Sequence, residues 1–359
     1  MMAKRPEEII REEVAALTGY RVPDASGMVK LDAMENPYPL PAALSAEIAR
    51  VVEEVSYNRY PDPAAKRLKA RLREAMAVPD DMAVVVGNGS DELIQTTMLA
   101  TGRPGAVVLG VEPSFVMFPL IAAFCGVRFV GVPLAPNFEL DTDRVLEQIA
   151  IHRPALVIIA YPNNPTGNLF DASAIARIID ATPGVVLVDE AYHAFAGQSF
   201  MPRLGDFDSL LVMRTLSKLG LAGLRLGVLA GPQGWLLHID KVRLPYNVNV
   251  LTQTIAERVL RRPQLFAEQA ALIVAERARL FRELSAIPDV QPYPSAANFI
   301  LFRVPDANAV FEDLKARAIL IRNLNDSHPA LAQCLRVTVG TPDDNAQFLG
   351  AVKEALSAR

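Results

Sequence analysis

The sequence predicts an α/β protein in which a mainly parallel sheet of seven strands forms a large domain and a smaller α/β domain follows it. Seven short, β-rich runs recur between about residues 83 and 230: AVVVG, AVVLG, VRFVGV, ALVIIA, VVLVD, LLVMR and LRLGVLA. Apolar runs of this kind are typical of strands that are buried on both faces, and helical segments such as DELIQTTMLA and ASAIARIID separate several of them.

The second domain is predicted from a change of pattern beyond about residue 252. A long helical stretch rich in Arg and Glu precedes the runs NFILFRV, AILIRN and LRVTVG. A last helix is indicated by Thr341 as N-cap, Pro342 at the first helical position and Asp344 in the first turn. We therefore predict an N-terminal arm (1–40) that packs with the small domain, a large domain (41–255) and a small domain (256–359).

Composition limits the classes of function. With 359 residues, 51% of them apolar, the chain can bury the cores of a two-domain enzyme. A net charge of −4 argues against a general polyanion binder, so no nucleic acid is expected. We expect no membrane contact, because no apolar run approaches about twenty residues. Two distant cysteines, Cys125 and Cys334, suit a reducing compartment, and we predict a cytoplasmic protein.

The first motif lies where the run AVVVG ends in Gly87, Asn88, Gly89 and Ser90 before a helix that is predicted to begin at about Asp91. Glycine lets the backbone approach an anion closely, and a helix N-terminus offers unpaired N–H groups to a phosphate. The same residues also suit a tight turn in which Ser90 is the N-cap. Both interpretations remain open on this motif alone.

The second motif places Asp189 at the end of the apolar run VVLVD and Tyr192 three residues later. A buried carboxylate needs a partner. The protonated pyridine nitrogen of pyridoxal phosphate (PLP) would supply one, and Tyr192 would then reach the phenolic oxygen of the ring. A turn or a Mg²⁺ site fits the Asp-Glu pair equally well.

The third motif is RTLSKLGLAGLRLG, which carries Ser217, Lys218 and Arg225. A lysine that forms a Schiff base needs a fixed position and a lowered pKa, while a hydroxyl and an arginine suit a phosphate ester. A surface lysine and arginine around a glycine-rich turn is the alternative. A fourth motif, YPNNPTG, follows another buried strand: it is a turn by composition, and Asn164 in it would also bind the phenolic oxygen.

These motifs belong to a longer ordered set: LTGY, MENPY, RYPDP, GNGSDELI, YPNNPTG, VDEAY, RTLSK with LAGLRLG, PYNVN, SAANFIL and LRVTVGT. In this set, which spans nearly the whole chain, the sequence resembles the fold-type I PLP-dependent aminotransferases, and within them the histidinol-phosphate aminotransferases. The resemblance implies a three-layer large domain around the seven-stranded sheet, PLP as cofactor, no metal, and a homodimer with shared active sites.

The resemblance also implies roles for individual residues. Lys218 corresponds to the catalytic lysine that forms the Schiff base, Asp189 to the partner of the pyridine nitrogen, and Asn164 and Tyr192 to the contacts of the phenolic oxygen. The phosphate of the cofactor would be bound by Gly89, Ser90, Thr215, Ser217 and Arg225, and Tyr60 would reach this phosphate from the partner subunit. Phe115 would stack on the ring. Tyr60 would otherwise be a packed aromatic residue in a turn.

Substrate binding is carried over in the same way. The resemblance points to Tyr20, Arg322 and Arg336 around the phosphate of the substrate, with Tyr246 and Asn247 nearby, although Arg322 also suits an exposed strand end. The implied reaction is transamination between L-histidinol phosphate and 2-oxoglutarate. An aromatic or broad-specificity aminotransferase, or a threonine-phosphate decarboxylase, would share the cofactor residues. A ligand sensor of a transcription regulator would need a DNA-binding module, for which the segment before Tyr38 is too short and too acidic.

Three positions depart from the pattern of the family. Met34 stands where relatives often have Asn, the run from Lys218 to Arg225 is one residue shorter than in many relatives, and YPLP replaces the more usual YGP. The first departure removes a polar contact, so we expect it to affect substrate preference rather than the chemistry at the cofactor.

Overall fold

The computed structural model describes residues 5–19 and 23–357. Helix α1 (Glu12–Ala15) lies beside the large domain, where Arg11 Nη2 donates a hydrogen bond of 2.6 Å to the carbonyl oxygen of Phe124. Strand β1 (Val29–Lys30) pairs in parallel with Ile319–Leu320 near the C-terminus. The N-terminal arm therefore contacts both domains, and the boundary near residue 40 stays a prediction.

The large domain alternates helices with strands, as parallel pairing requires. In chain order it contains α2 (Ala42–Glu53), α3 (Lys66–Ala75), β2 (Ala83–Gly87), α4 (Ser90–Thr101), β3 (Val107–Glu112), α5 (Met117–Cys125), β4 (Arg128–Pro133), α6 (Thr142–His152), β5 (Leu156–Ala160), α7 (Ala172–Ala181), β6 (Val185–Asp189), α8 (His193–Ala196), β7 (Leu210–Thr215), β8 (Gly227–Gly231), α9 (Gln233–Asp240) and α10 (Val250–Val259). Short 3₁₀ turns span Met201–Asp206, Ser217–Leu219 and Ala222–Leu224.

The strands form one seven-stranded sheet in the order β2-β8-β7-β6-β5-β3-β4. Only β8 runs antiparallel to its neighbours, β2 and β7. The predicted mainly parallel sheet of seven strands is confirmed. Helix α4 begins at Ser90, one residue earlier than predicted, and its N-cap is Gly89 rather than Ser90.

The two faces of the sheet explain why the strands read as continuous apolar runs. In β6, Val186 and Val188 face a core that includes α2, α3, α6 and α7, whereas Val185 and Leu187 face a core with α4, α5 and α9. All four side chains are fully buried. Burial of successive residues on opposite faces produces the three-layer arrangement.

The carboxyl ends of the parallel strands meet at one edge of this sheet, where ligands bind in open α/β folds. Asp189 and Thr215 are the last residues of β6 and β7. Because β8 is antiparallel, its first residue lies at the same edge, and Gly227 pairs with both Gly87 and Thr215. The turn that precedes β8 therefore brings Arg225 to the edge as well.

The small domain contains α11 (Pro263–Ser285), β9 (Gln291–Pro292), β10 (Phe299–Arg303), α12 (Ala307–Ala316), β11 (Ile319–Leu320), β12 (Arg322–Asn323), β13 (Cys334–Thr338) and α13 (Pro342–Ser357), with a 3₁₀ turn at Pro329–Leu331. Four of its strands form an antiparallel sheet in the order β12-β13-β10-β9. The predicted start of the last helix is confirmed, because the Asp344 carboxylate accepts hydrogen bonds from the N–H and hydroxyl of Thr341.

Helix α11 connects the two domains. Its first turn places Phe266 in a core of the large domain, whereas Ile273 and Leu280 lie in the core of the small domain. The predicted boundary near residue 255 stays a prediction. Across residues 5–19 and 23–357, no helix has both the length and the apolar character that a bilayer crossing requires.

Candidate active site

A cavity of about 220 Å³ lies at the carboxyl edge of the large sheet. It brings together nine of the residues that the sequence nominated for the cofactor: Ser90, Phe115, Asn164, Asp189, Tyr192, Thr215, Ser217, Lys218 and Arg225. They come from distant parts of the chain because they lie at or beside the ends of six strands of the sheet, β2, β3, β5, β6, β7 and β8, which meet at one edge. Their roles remain predictions, but their proximity is a structural result.

Lys218 lies in the 3₁₀ turn that follows β7, and its amine is buried. Lys218 Nζ donates a hydrogen bond of 3.0 Å to the carbonyl oxygen of Ala33. Burial, together with the positive charge of Arg336, lowers the pKa of Lys218 from 10.5 to about 8. A neutral, nucleophilic amine is therefore accessible near physiological pH.

Asp189 is a buried carboxylate that forms no ion pair within the described part of the chain. Its Oδ1 accepts a hydrogen bond of 3.0 Å from the N–H of Ala191. Burial raises the pKa of Asp189 from 3.8 to about 7, although the Ala191 N–H acts in the opposite direction. A cationic N–H donor from a ligand would restore the charged form, so the residue fits the protonated ring nitrogen of PLP.

Glu190, the next residue, faces away from the cavity. Arg214 Nε donates to Glu190 Oε2 at 2.9 Å, and Ser199 Oγ donates to the same carboxylate. The two acidic residues thus point to opposite sides of the sheet, as successive residues of a strand do. Glu190 is therefore not positioned to bind a Mg²⁺ ion together with Asp189.

A chain of hydrogen bonds orders the other side of the cavity. Asn164 Nδ2 donates to the Tyr192 hydroxyl at 3.0 Å, and Arg336 Nη1 donates to Asn164 Oδ1 at 2.5 Å. Arg336 Nη2 donates to the carbonyl oxygen of Asp32 at 3.0 Å. Because Arg336 takes the amide oxygen, the NH₂ group of Asn164 is turned toward Tyr192. Burial also raises the pKa of Tyr192, so its hydroxyl stays protonated and available as a donor.

An anion cradle lies at the start of α4. Gly89 has φ +92°, and a Cβ built on it would lie 2.5 Å from Arg225 Nη2, so glycine permits the close approach of the guanidinium. Thr215 Oγ1 donates to Ser217 Oγ at 3.0 Å, and Arg225 Nη1 lies 3.5 Å from the same oxygen. An arginine, two hydroxyls and a helix N-terminus together suit a phosphate monoester.

A second cavity of about 220 Å³ adjoins the first and shares Met34, Phe115 and Asn164 with it. It contains both predicted substrate arginines, Arg322 and Arg336, which are opposite each other in the register of β12 and β13. The cofactor residues and the arginine pair therefore line neighbouring cavities. This placement suits a substrate whose reacting end faces Lys218 and whose anionic end faces the arginines.

Four of the predicted residues that the structure describes line neither cavity of their own chain: Gly89, which lies beside Arg225, and Tyr60, Tyr246 and Asn247. Tyr60 is 80% exposed and stacks on Tyr246 with ring centroids 4.4 Å apart. Asn247 Nδ2 donates to Glu92 Oε2 at 2.7 Å and to the carbonyl oxygen of Val86. The role of Tyr246 and Asn247 beside the substrate stays a prediction; in their own chain these contacts hold the two residues beside Tyr60 and Glu92. Tyr20 lies outside the described residues.

Among the lining residues of the first cavity that the sequence did not nominate for the site are Ala33, Glu35 and Asp91. Asp91 Oδ2 lies 4.0 Å from Arg225 Nη2, and burial raises the pKa of its carboxyl group. Its position beside Ser90 was visible in GNGSDELI, but acidic residues are common in the first turn of a helix for dipole reasons alone. Ala33 contributes only a carbonyl oxygen, for which the sequence holds no signal.

Met34, the departure noted in MENPY, is buried and held through its backbone. Its N–H donates to Thr338 Oγ1 and its carbonyl oxygen accepts from Asn298 Nδ2, both at 2.9 Å. The apolar side chain lines both cavities. This position thus contributes apolar surface rather than a hydrogen bond to the substrate region.

The fold and the site define a class of protein. A seven-stranded sheet with one antiparallel strand, a buried lysine after β7 and a buried carboxylate at the end of β6 form the large domain of a fold-type I transferase. The sequence profile of the family described as "Aminotransferase class I and II" matches residues 26–352, and the chain belongs to that family.

Within the family, the chain is similar to particular relatives. It is 54% identical to histidinol-phosphate aminotransferase 2 of Cupriavidus pinatubonensis over 355 residues, which cover 98% of this chain and 97% of the relative. It is also 54% identical to histidinol-phosphate aminotransferase 2 of Nitrosococcus oceani, with 98% and 99% covered. The crystal structure of histidinol-phosphate aminotransferase from Sinorhizobium meliloti in complex with pyridoxal-5'-phosphate has the same fold, with a TM-score of 0.87, 22% identity and 100% of both chains covered.

Proposed function

We propose that this chain is a PLP-dependent aminotransferase of histidine biosynthesis. It would transfer the amino group of L-histidinol phosphate to 2-oxoglutarate, giving imidazole-acetol phosphate and L-glutamate, in a reversible reaction. The observation that carries the proposal is the cavity with Lys218 and Asp189, which adjoins a second cavity with two arginines. The relatives that are 54% identical over nearly their whole length support the choice of substrate.

The residues of the first cavity fit the cofactor. When bound, PLP supplies an electron sink for the carbanion that forms when the α-proton leaves. Asp189 would hold the proton on the pyridine nitrogen, and Asn164 and Tyr192 would donate hydrogen bonds to the phenolic oxygen. The cradle around Gly89 and Arg225 would bind the phosphate ester, and Phe115 would lie against the ring.

Lys218 would act twice. Its Nζ would hold the cofactor covalently, and the same amine, once free, would take the α-proton of the amino donor and deliver it to C4′ of the cofactor. A pKa of about 8 suits both steps, because the neutral amine is populated without strong alkali. The proton never needs a second base, so one buried amine supports the transfer in both directions.

The arginine pair would bind the anionic groups of both substrates. The planar guanidinium of Arg336 fits a carboxylate or a phosphate, so it can serve glutamate in one half-reaction and histidinol phosphate in the other. Arg322 would add a second guanidinium for the dianionic phosphate. The apolar surface of Met34 and Phe115 between the two cavities would limit the access of water to the reacting centre.

We also propose a cytoplasmic homodimer with shared active sites. The stacked pair of Tyr60 and Tyr246 lies on the same part of the surface as Arg243, which donates to Asn247 and to the carbonyl oxygen of Pro63. Exposed aromatic residues of this kind are enriched in protein interfaces. A hydroxyl carried across that interface would complete the phosphate cradle of the partner subunit. The two free cysteines suit a reducing compartment.

The proposal is tested by single-turnover spectroscopy on the cofactor-loaded protein. Addition of L-histidinol phosphate should shift the visible absorbance of the bound cofactor rapidly, and 2-oxoglutarate should reverse the shift. L-phenylalanine and L-threonine phosphate should react far more slowly. A fast reaction with phenylalanine alone would instead identify an aromatic aminotransferase, and release of CO₂ from threonine phosphate would identify the decarboxylase.

Arg322→Gln provides a second test in the same assay. Loss of one charged hydrogen-bonding partner should weaken the binding of histidinol phosphate by about 10- to 100-fold, while glutamate still reacts through Arg336. Arg282→Gln, at an exposed position on α11, is the matched control and should change neither half-reaction. Equal losses for both substrates in Arg322→Gln would contradict the assigned role of this arginine.

A further inference from the structure

Strands β3 and β4 form part of the wall of the second cavity, and a glutamate side chain lies in this part of the wall. Glu112 is the last residue of β3 and lines this cavity together with Phe129. A Cβ built on Gly131 of β4 would lie 2.2 Å from both the carboxyl carbon and Oε2 of Glu112. A side chain at residue 131 would therefore displace the carboxylate. Glycine at this position leaves the space that the Glu112 carboxylate occupies in the wall.

A second glycine makes room for the neighbouring aromatic ring. A Cβ built on Gly110 would lie 3.0 Å from Cζ of Phe129. Gly110 and Gly131 pair with each other across β3 and β4, so the two glycines lie side by side under the ring and the carboxylate. The wall thus presents a flat aromatic face next to a hydrogen-bond acceptor.

The carboxylate of Glu112 has no hydrogen-bond or ion-pair partner in the described residues, 5–19 and 23–357. Arg322, Arg336 and His328 line the same cavity. The cavity therefore carries basic groups on β12, on β13 and in the connection between these two strands, and an acidic group on β3. A ligand that fills it needs an anionic group for the arginines and an N–H donor for Glu112.

We propose that Glu112 accepts a hydrogen bond from the imidazole N–H of the amino donor and thereby selects an imidazole ring over a phenyl ring. The inference rests on the proposed function and names the residue that recognises the substrate ring. The imidazole has an N–H in both its neutral and its protonated form, whereas a phenyl ring has none. A phenyl ring in this place would bury the carboxylate without a partner, and buried charges left unpaired are strongly unfavourable.

The experiment compares Glu112→Gln with the wild type, both loaded with cofactor, in single-turnover reactions with L-histidinol phosphate, L-glutamate and L-phenylalanine. Loss of the charged acceptor should raise the apparent Kd for histidinol phosphate about tenfold or more. The reaction with glutamate, which has no ring, should change less than about twofold. The preference for histidinol phosphate over phenylalanine should therefore also fall about tenfold or more. Glu139→Gln, in the exposed turn after β4, removes the same charge and should leave all three reactions as in the wild type.

Gly131→Ala gives an independent route to the same result. It keeps Glu112 but pushes its carboxylate out of the wall, so the same selective loss for histidinol phosphate is expected. An unchanged preference in both variants, or equal losses for all three donors, overturns the inference. If the wild type itself ignores histidinol phosphate while another donor reacts, the proposed function fails. If the wild type reacts with histidinol phosphate and the Glu112→Gln variant reacts equally well, only the role of Glu112 fails.

Discussion

Replacement of Asp189 by asparagine should separate the stability of this protein from its activity. Asparagine keeps an Oδ1 acceptor for the Ala191 N–H, but it carries no charge that burial could penalise. We therefore expect Asp189→Asn to stabilise the cofactor-free protein at alkaline pH. With cofactor present, the same change should lower transamination by about 100-fold or more, because the partner of the ring nitrogen is lost.

The magnitude follows from the shift of the pKa. Burial raises the pKa of Asp189 from 3.8 to about 7 in the folded state. A carboxyl group with a raised folded-state pKa contributes stability that is complete below pH 3.8 and is lost as the pH rises through 7. Between pH 5 and pH 9 the free energy of unfolding of the wild type should therefore fall by about 3 kcal/mol relative to the variant, because the penalty for the buried carboxylate grows from pH 5 to about pH 7 and is then constant.

The assay is thermal unfolding of the cofactor-free wild type and variant at pH 5 and pH 9. For a chain of 359 residues, 3 kcal/mol corresponds to about 4 °C in Tm. The difference in Tm between variant and wild type should grow by about that amount from pH 5 to pH 9. Asp180→Asn, at an exposed position on α7, is the control and should show no growth with pH. A pH-independent difference for Asp189→Asn would refute the reasoning, because it would mean that the carboxylate is not penalised by burial.

Two further predictions concern the cofactor. Lys218→Ala should abolish transamination while the Tm of the cofactor-free protein stays close to that of the wild type, and turnover by this variant would contradict the assignment of Lys218. In the wild type, the rate of covalent PLP capture should rise through pH about 8 and level off above it, because only the neutral amine reacts, and stopped-flow absorbance would measure this profile. Gly89→Ala should raise the Kd for PLP about tenfold or more, because alanine is strained at φ +92° and its Cβ displaces Arg225; equilibrium titration with PLP checks this, and an unchanged Kd would show that the cradle does not need the close approach.

Local sequence patterns were sufficient for most of the fold. The seven apolar runs correspond to the seven strands because a strand buried on both faces must be apolar at nearly every position. The last helix begins where Thr341, Pro342 and Asp344 place it, since capping is a local interaction. The start of α4 was displaced by one residue because Gly89, with its positive φ, takes the capping position that Ser90 was expected to fill.

The candidate site could be predicted only in part from local sequence patterns. Residues that directly follow predicted strands, such as Asp189 and Lys218, could be nominated because strand ends meet at one edge of a parallel sheet. The position of Tyr246 and Asn247 outside both cavities of their own chain could not be read from the sequence, because their neighbours, Tyr60 and Glu92, come from distant segments that no local pattern connects to them.

By itself, the sequence determined the class of fold, the strand ends that carry the chemistry and the family resemblance, because these depend on burial periodicity and on ordered motifs. The tertiary structure alone decided which side each acidic residue faces, as with Asp189 toward the cavity and Glu190 toward Arg214. It also decided that Glu112 lies in a cavity wall, because that depends on the missing side chain of Gly131 in the neighbouring strand. Such facts follow from contacts between distant segments, and they set the pKa values and the hydrogen bonds on which specificity rests.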